Sequence, residues 1–250
     1  MKALITGGSS GIGLAIAKEL ANKGIDLVLV ARDEKKLKEI SEDIKSVNVD
    51  YYVCDVSDIK SLEKLYNDNK DIDILVNNAG FGLFGLFNET DLDKELNMID
   101  VNIKAVHILT KLYLKDFIKK DKGYILNVAS SAGFLAGPNL STYYATKNYV
   151  CRLDEAIYQE LKEMKSNVHI SSLCPGPVET NFNKVAGGTF ATKGVDATTV
   201  AKEAVKGMFK GKMIIVPTFI MKLGVFFSRI APRKFLLKYI YNYQSKKMSK

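Results

Sequence analysis

Ala3-Leu4-Ile5-Thr6-Gly7-Gly8-Ser9-Ser10-Gly11-Ile12-Gly13 opens the chain, an apolar run leading into a turn with four glycines and two serines. A short apolar run closed by glycine and followed by a helical pattern over Gly13–Asn22 reads as a buried strand, a tight turn and a helix. Glycine tolerates the backbone angles of such a turn and lets main-chain N–H groups approach a ligand at the helix N-terminus, where the helix dipole favours a pyrophosphate. Gly7, Ser9, Ser10, Gly11, Ile12 and Gly13 are therefore the first candidate cofactor-binding residues. Their spacing is Gly-x3-Gly-x-Gly rather than the commoner G-x-G-x-x-G. A turn with a purely structural role is the competing reading.

The same alternation continues down the chain. Apolar runs of strand length occur at Ala3–Thr6, Asp26–Val30, Asp50–Val53, Ile72–Val76, Gly123–Val128, Val168–Leu173 and Met213–Val216. Between them lie amphipathic stretches such as Glu34–Ile44, Leu92–Phe117 and Tyr143–Met164. Repeated strand–helix–strand order predicts an α/β fold with a doubly wound parallel sheet, the Rossmann arrangement, covered by helices on both faces. At 250 residues the chain fits one such domain, assigned to 1–217, followed by a basic helical extension over 218–250. In this fold ligands bind at the C-terminal ends of the strands, so the residues closing each strand carry the functional reading.

Composition narrows the function classes. The chain is 47% hydrophobic and 26% charged, which suits a soluble enzyme rather than a disordered protein. Its net charge is +8, yet no acidic residue follows Glu203 while Lys and Arg occur eleven times there. Residues 1–203 carry 25 basic and 28 acidic side chains, so the positive charge belongs to the tail and argues against a nucleic-acid surface spread over the fold. Ala3–Ile5 is too short for a signal-peptide core, which implies a cytoplasmic protein. Cys54, Cys151 and Cys174 lack CxxC spacing and read as buried free thiols. His107 and His169 lie in apolar patterns with no partner at metal spacing, so no metal is expected.

Cofactor preference is read at the second strand end. A carboxylate there accepts hydrogen bonds from a ribose 2′-OH, whereas a basic residue suits a 2′-phosphate. Val30 is followed by Ala31 and Arg32, which favours NADPH with Arg32 at the phosphate. Asp33 competes for the carboxylate position if the strand ends a residue or two later. Cys54-Asp55-Val56 closes the third strand, and its carboxylate suits an adenine amino group. Asn77-Asn78-Ala79-Gly80 closes the fourth with small residues against which a cofactor can lie.

Tyr143 and Lys147 are four residues apart at the start of a helical stretch and so share a face. A tyrosine with its ordinary pKa of about 10 is a poor acid or base at neutral pH, and a nearby ammonium lowers that value. Tyr144 has Asn148 at the same offset and lacks the partner. The buried run Gly123–Val128 leads through Ala129 to Ser130, thirteen residues before Tyr143, where a hydroxyl can meet a substrate carbonyl. Ser131 is the competitor.

Taken together, Thr6-Gly7-x3-Gly11-x-Gly13, Asn77-Asn78-Ala79-Gly80, Asn102, Ser130, Tyr143-x3-Lys147 and Pro175-Gly176 resemble the short-chain dehydrogenase/reductase family over roughly residues 1–180. The resemblance implies that Tyr143 is the general acid/base, that Ser130 rather than Ser131 polarises the substrate oxygen, and that Lys147 holds the nicotinamide ribose. It implies that Asn102 holds a water of the proton relay and that the Pro175–Thr180 turn, with Gly176, Val178 and Thr180, meets the nicotinamide carboxamide. It also implies a homodimer or homotetramer built on the helices Leu92–Phe117 and Tyr143–Met164. The expected activity is reduction of a carbonyl, or oxidation of an alcohol, on a small molecule. A 3-oxoacyl thioester reductase and a non-catalytic NADP-binding regulator are the alternatives. The substrate loop falls at Asn181–Val195, with Phe182 and Phe190 as its bulky residues. Phe81, Phe84 and Phe87 line a pocket or pack a core.

The tail is the least ordinary segment. Phe219–Ile230 is apolar on nearly every side, Pro232 interrupts it, and Arg233–Tyr243 mixes aromatic and basic residues. Neither piece reaches the roughly 20 apolar residues a bilayer span requires. Two readings stand, a helical extension packed over the cleft or a subunit partner, and a peripheral membrane contact through residues 219–250.

Overall fold

The structure is a computed structural model and describes residues 1–188 and 194–246. The described residues form a seven-stranded sheet from β1 (Lys2–Thr6), β2 (Asp26–Ala31), β3 (Val49–Val53), β4 (Ile74–Asn77), β5 (Gly123–Val128), β6 (Val168–Leu173) and β7 (Ile214–Ile215). Every pairing is parallel and the order is β3-β2-β1-β4-β5-β6-β7. The chain winds outward from β1 to β3, then returns to place β4 on the other side of β1. That reversal opens a crevice beyond the C-terminal ends of β1 and β4, the position where open parallel sheets bind ligands.

Helices cover both faces, which is why the central strands are continuously apolar rather than alternating. α1 (Gly11–Ala21), α2 (Glu34–Asp43) and α8 (Ala197–Phe209) pack Ile16, Leu20, Leu37, Val200 and Met208 against one face. α3 (Ile59–Asp68), α5 (Val106–Lys120) and α6 (Ser141–Glu163) pack Leu62, Leu65, Leu109, Tyr113, Phe117 and Leu161 against the other. β3 lies at the sheet edge and leaves Tyr51 and Val53 exposed.

The expected helix Leu92–Phe117 is corrected in one respect. It runs from Leu92 to Lys120, but as α4 (Leu92–Ile99), a π-helical turn over Asp100–Ala105, and then α5. A π turn adds one residue to a helical turn and commonly marks a functional position. Here it carries Asn102, fully buried. The remaining elements are α7 (Phe182–Ala186) and the tail helices α9 (Phe219–Ser228) and α10 (Arg233–Ser245). Thr218 caps α9 by accepting the Met221 N–H, and Pro232 lies at the break before α10.

Candidate active site

The β1–α1 turn is built for close approach. Gly7 (φ +64°) and Gly11 (φ +54°) adopt left-handed conformations that favour glycine. Gly13 is required for a different reason, since a Cβ there would lie 2.3 Å from the Gly7 carbonyl oxygen and 2.4 Å from Asn78 Nδ2. Asn78 Nδ2 donates to the Thr6 and Gly7 carbonyls at 3.1 Å each, and Thr6 Oγ1 accepts the N–H groups of Asn78 at 3.0 Å and Ala79 at 3.1 Å. The end of β4 thus clamps the turn from the side. Ser10, the N-cap of α1, makes no side-chain cap hydrogen bond, so its hydroxyl does not close the helix N-terminus to an anion. These residues fit a dinucleotide pyrophosphate.

At the end of β2 the strand includes Ala31, Arg32 follows, and Asp33 is the N-cap of α2. Asp33 Oδ1 accepts the Lys36 N–H at 3.1 Å, which commits that carboxylate to the helix start. Arg32 is exposed and lies 3.9 Å from Asp55. Burial pushes the Asp55 carboxyl up, but the Ser57 N–H and hydroxyl and the Arg32 guanidinium outweigh it and lower its pKa. Val56 is buried beside it.

Ser130 follows β5 as the N-cap of a 3-10 turn (Ser131–Phe134), its Oγ accepting the Ala132 N–H at 3.1 Å. Tyr143 projects from the first turns of α6 into the cleft that Ser130 also lines, and the Ser130 hydroxyl lowers its pKa. Lys147, one turn on, is buried with Nζ 2.8 Å from the Val128 carbonyl and 5.8 Å from the Tyr143 ring centre. The electrostatics differ from the expectation that Lys147 lowers the tyrosine pKa. Burial raises Tyr143 well above its ordinary value, and the lowering contribution comes from Ser130. Burial without a carboxylate partner brings Lys147 down to about 8. Tyr144 turns elsewhere, its hydroxyl accepting from Gln244 Nε2 at 2.6 Å.

Asn102 supports this group from the π turn. Its Oδ1 accepts the Phe81 N–H at 3.1 Å, and its Nδ2 donates to the Phe81 carbonyl at 2.9 Å and to Thr146 Oγ1 at 3.1 Å. A Cβ on Gly80 would meet Asn102 Oδ1 at 3.0 Å and Lys147 Nζ at 3.3 Å, so Gly80 leaves the space in which the three groups converge.

One cleft of about 630 Å³ brings most of the predicted residues together. Gly7, Ser10, Gly11 and Ile12 line one end, Asn78, Ala79 and Gly80 a wall, and Ser130, Tyr143 and Lys147 the other end. Pro175, Gly176, Val178 and Thr180 close the side after β6. Ser9, Gly13, Arg32, Asp55, Val56 and Asn102 are outside its lining. Phe81, Phe84 and Phe182 line it, Phe87 is exposed, and Phe190 lies outside the described residues.

The short chain dehydrogenase family model matches residues 1–189. The chain belongs to the short-chain dehydrogenase family. The dehydrogenase is 34% identical over 215 residues to the very-long-chain 3-oxoacyl-CoA reductase of Rattus norvegicus, covering 82% of this chain and 67% of that one. It resembles a short-chain dehydrogenase from Sphingobium yanoikuyae solved with NADPH, at TM-score 0.84 and 26% identity over 92% of this chain and 93% of that one. A family member from Burkholderia phymatum solved with NAD shares the fold, at TM-score 0.82 and 24% identity over 90% and 91% of the two chains.

Sequence reading missed two hydrogen-bonding residues of the candidate site. Thr6 and Thr146 act as hydrogen-bond partners of Asn78, Ala79 and Asn102, a role only their neighbours in space reveal. The tail also contributes to the cleft. Met221 and Val225 of α9 and Leu236, Tyr239 and Tyr243 of α10 form much of the remaining cleft wall. Met221 sits on Gly176, where a Cβ would come within 2.7 Å of its sulfur.

Proposed function

We propose that this protein is an NADPH-dependent carbonyl reductase, able to run as an alcohol dehydrogenase in reverse. The observation that carries the reading is that Ser130, Tyr143 and Lys147 line the same cleft as the glycine turn. A nicotinamide cofactor, when bound, supplies or accepts the hydride. The turn at Gly7–Gly13 would hold its pyrophosphate, Asn78–Gly80 would flank it, and Pro175–Thr180 would meet its carboxamide. Lys147 would hold its ribose hydroxyls.

Ser130 would donate to a substrate carbonyl oxygen, and Tyr143 would protonate that oxygen as reduction proceeds. The raised pKa of Tyr143 keeps it protonated at neutral pH, as a proton donor must be. At pH 7 Lys147 is still mostly ammonium, the form in which it would donate to the ribose hydroxyls. For cofactor choice, the capping bond of Asp33 and the exposed Arg32 beside it support a 2′-phosphate at this strand end.

A second reading, reduction of 3-oxoacyl thioesters, is favoured by the rat relative and by the apolar wall that the tail adds to the cleft. Purified protein with NADPH, screened against free ketones and acetoacetyl thioesters, separates the two. Tyr143→Phe should lower turnover on any active substrate by several orders of magnitude while NADPH still binds. Near-normal turnover by that variant would overturn the mechanism.

A further inference from the structure

The outward faces of α9 and α10 take no part in the proposed reaction. On α9, Met221, Val225 and Ser228 turn toward the cleft. Phe219, Leu223, Phe226, Phe227 and Ile230 recur at intervals of three and four residues and so share the opposite stripe. All five are exposed, Phe219 by 73% and Ile230 by 66%. This helix therefore has two apolar stripes, of which the protein covers one. On α10, Phe235, Lys234 and Lys238 are exposed. Among the described residues, no ion pair involves α9 or α10. The chain offers these helices no local acid either, since none follows Glu203.

We propose that this face docks on an anionic lipid surface. Exposed phenylalanine, leucine and isoleucine bounded by Lys and Arg that no carboxylate pairs match a membrane interface, where apolar side chains enter and cations meet lipid phosphate. The contact lies on the surface, because no helix of the described residues is long and apolar enough to cross a membrane. A second copy of the chain fits less well. A symmetric contact sets the same patch against itself, bringing two sets of cations together. Docking would turn the cleft wall formed by α9 and α10 toward the bilayer.

The test uses the intact chain and needs no turnover, so it stands apart from the assignment of the reaction. Co-sedimentation with phosphatidylserine-containing vesicles at low salt should exceed that with phosphatidylcholine alone by at least tenfold, and should fall as salt rises. One basic residue near such a surface contributes about fivefold in affinity, so Lys234→Glu with Lys238→Glu should weaken binding at least about twentyfold. Phe219→Ser with Phe227→Ser should weaken it comparably, while unchanged thermal melting shows that both variants fold. Absence of sedimentation by the intact protein overturns the proposal, as does full binding by the folded charge-reversed variant. Loss of an oligomer without any vesicle binding would assign the face to subunit contact and overturn it as well.

Discussion

Lys147 is the residue whose environment departs furthest from what its position in the chain suggests. An ammonium at this depth, facing a carbonyl and no carboxylate, is held at a cost, and its pKa falls from 10.5 to about 8. Below pH 8 the folded and unfolded chains both hold the proton, and this lysine gives no pH dependence. Between pH 8 and 10.5 the unfolded chain binds more protons, so stability rises with pH, by about 3 kcal/mol if the full interval is crossed. Tyr143, raised by burial, works in the opposite sense only once the unfolded phenol ionises near pH 10. Urea unfolding of the ligand-free protein at pH 7.5 and at pH 9.5 should therefore show a gain in wild type that Lys147→Met lacks. Equal slopes in the two proteins would mean that the lysine is better solvated than its burial indicates. The variant should also lose turnover, which separates a functional lysine from a stable core.

The junction of β2 and α2 shows an element boundary deciding chemistry. β2 continues one residue past Val30, so Ala31 pairs with Val53, while Arg32 lies beyond the strand and is exposed. Asp33 starts α2 and spends its carboxylate on the Lys36 N–H. Arg32→Ala should then weaken NADPH by about ten- to a hundredfold, the range of a charge-assisted hydrogen bond, and leave NADH nearly unchanged. Titration of both cofactors into both proteins measures it, and equal losses would give Arg32 a structural role instead. Sequence periodicity located this junction to within a residue, as it did β5 and β6, because apolar runs between glycine and polar punctuation are local signals. Asn102 was legible as a residue but its π turn was not. That turn depends on both Phe81 main-chain bonds and on Thr146, partners 21 and 44 residues away. For the tail, packing over the cleft was one of two readings, but which stripe of α9 faces inward was not legible. Its inward stripe is apolar like its outward one, and only contact with Gly176 and Tyr144 tells them apart.

At the scale of the whole molecule, two regions of exposed apolar side chains differ in their electrostatics. The tail face is basic. The second region lies on α4 and α6, where Leu92 is 68% exposed, Leu96 49% and Tyr149 37%. Here His107 of α5 meets Tyr149 of α6 at 2.8 Å, tying the helices into one surface, and Asp93 and Glu95 intersperse with Lys94. Mixed charge around apolar residues permits the self-complementary contact that a two-fold interface requires. The expected assembly is a homodimer or homotetramer through this surface, since a stable interface needs about 1,000 Å² of complementary area and two adjacent long helices supply a continuous face. Light scattering at micromolar concentration should give at least twice the chain mass. Leu92→Arg with Leu96→Arg should reduce it to one chain while leaving NADPH binding in place, because neither residue lines the cleft. A monomeric wild type rejects this interface. If instead only the Phe219 and Phe227 substitutions dissolve the assembly, the subunits meet through the tail, and like charge does not hold two copies of that face apart.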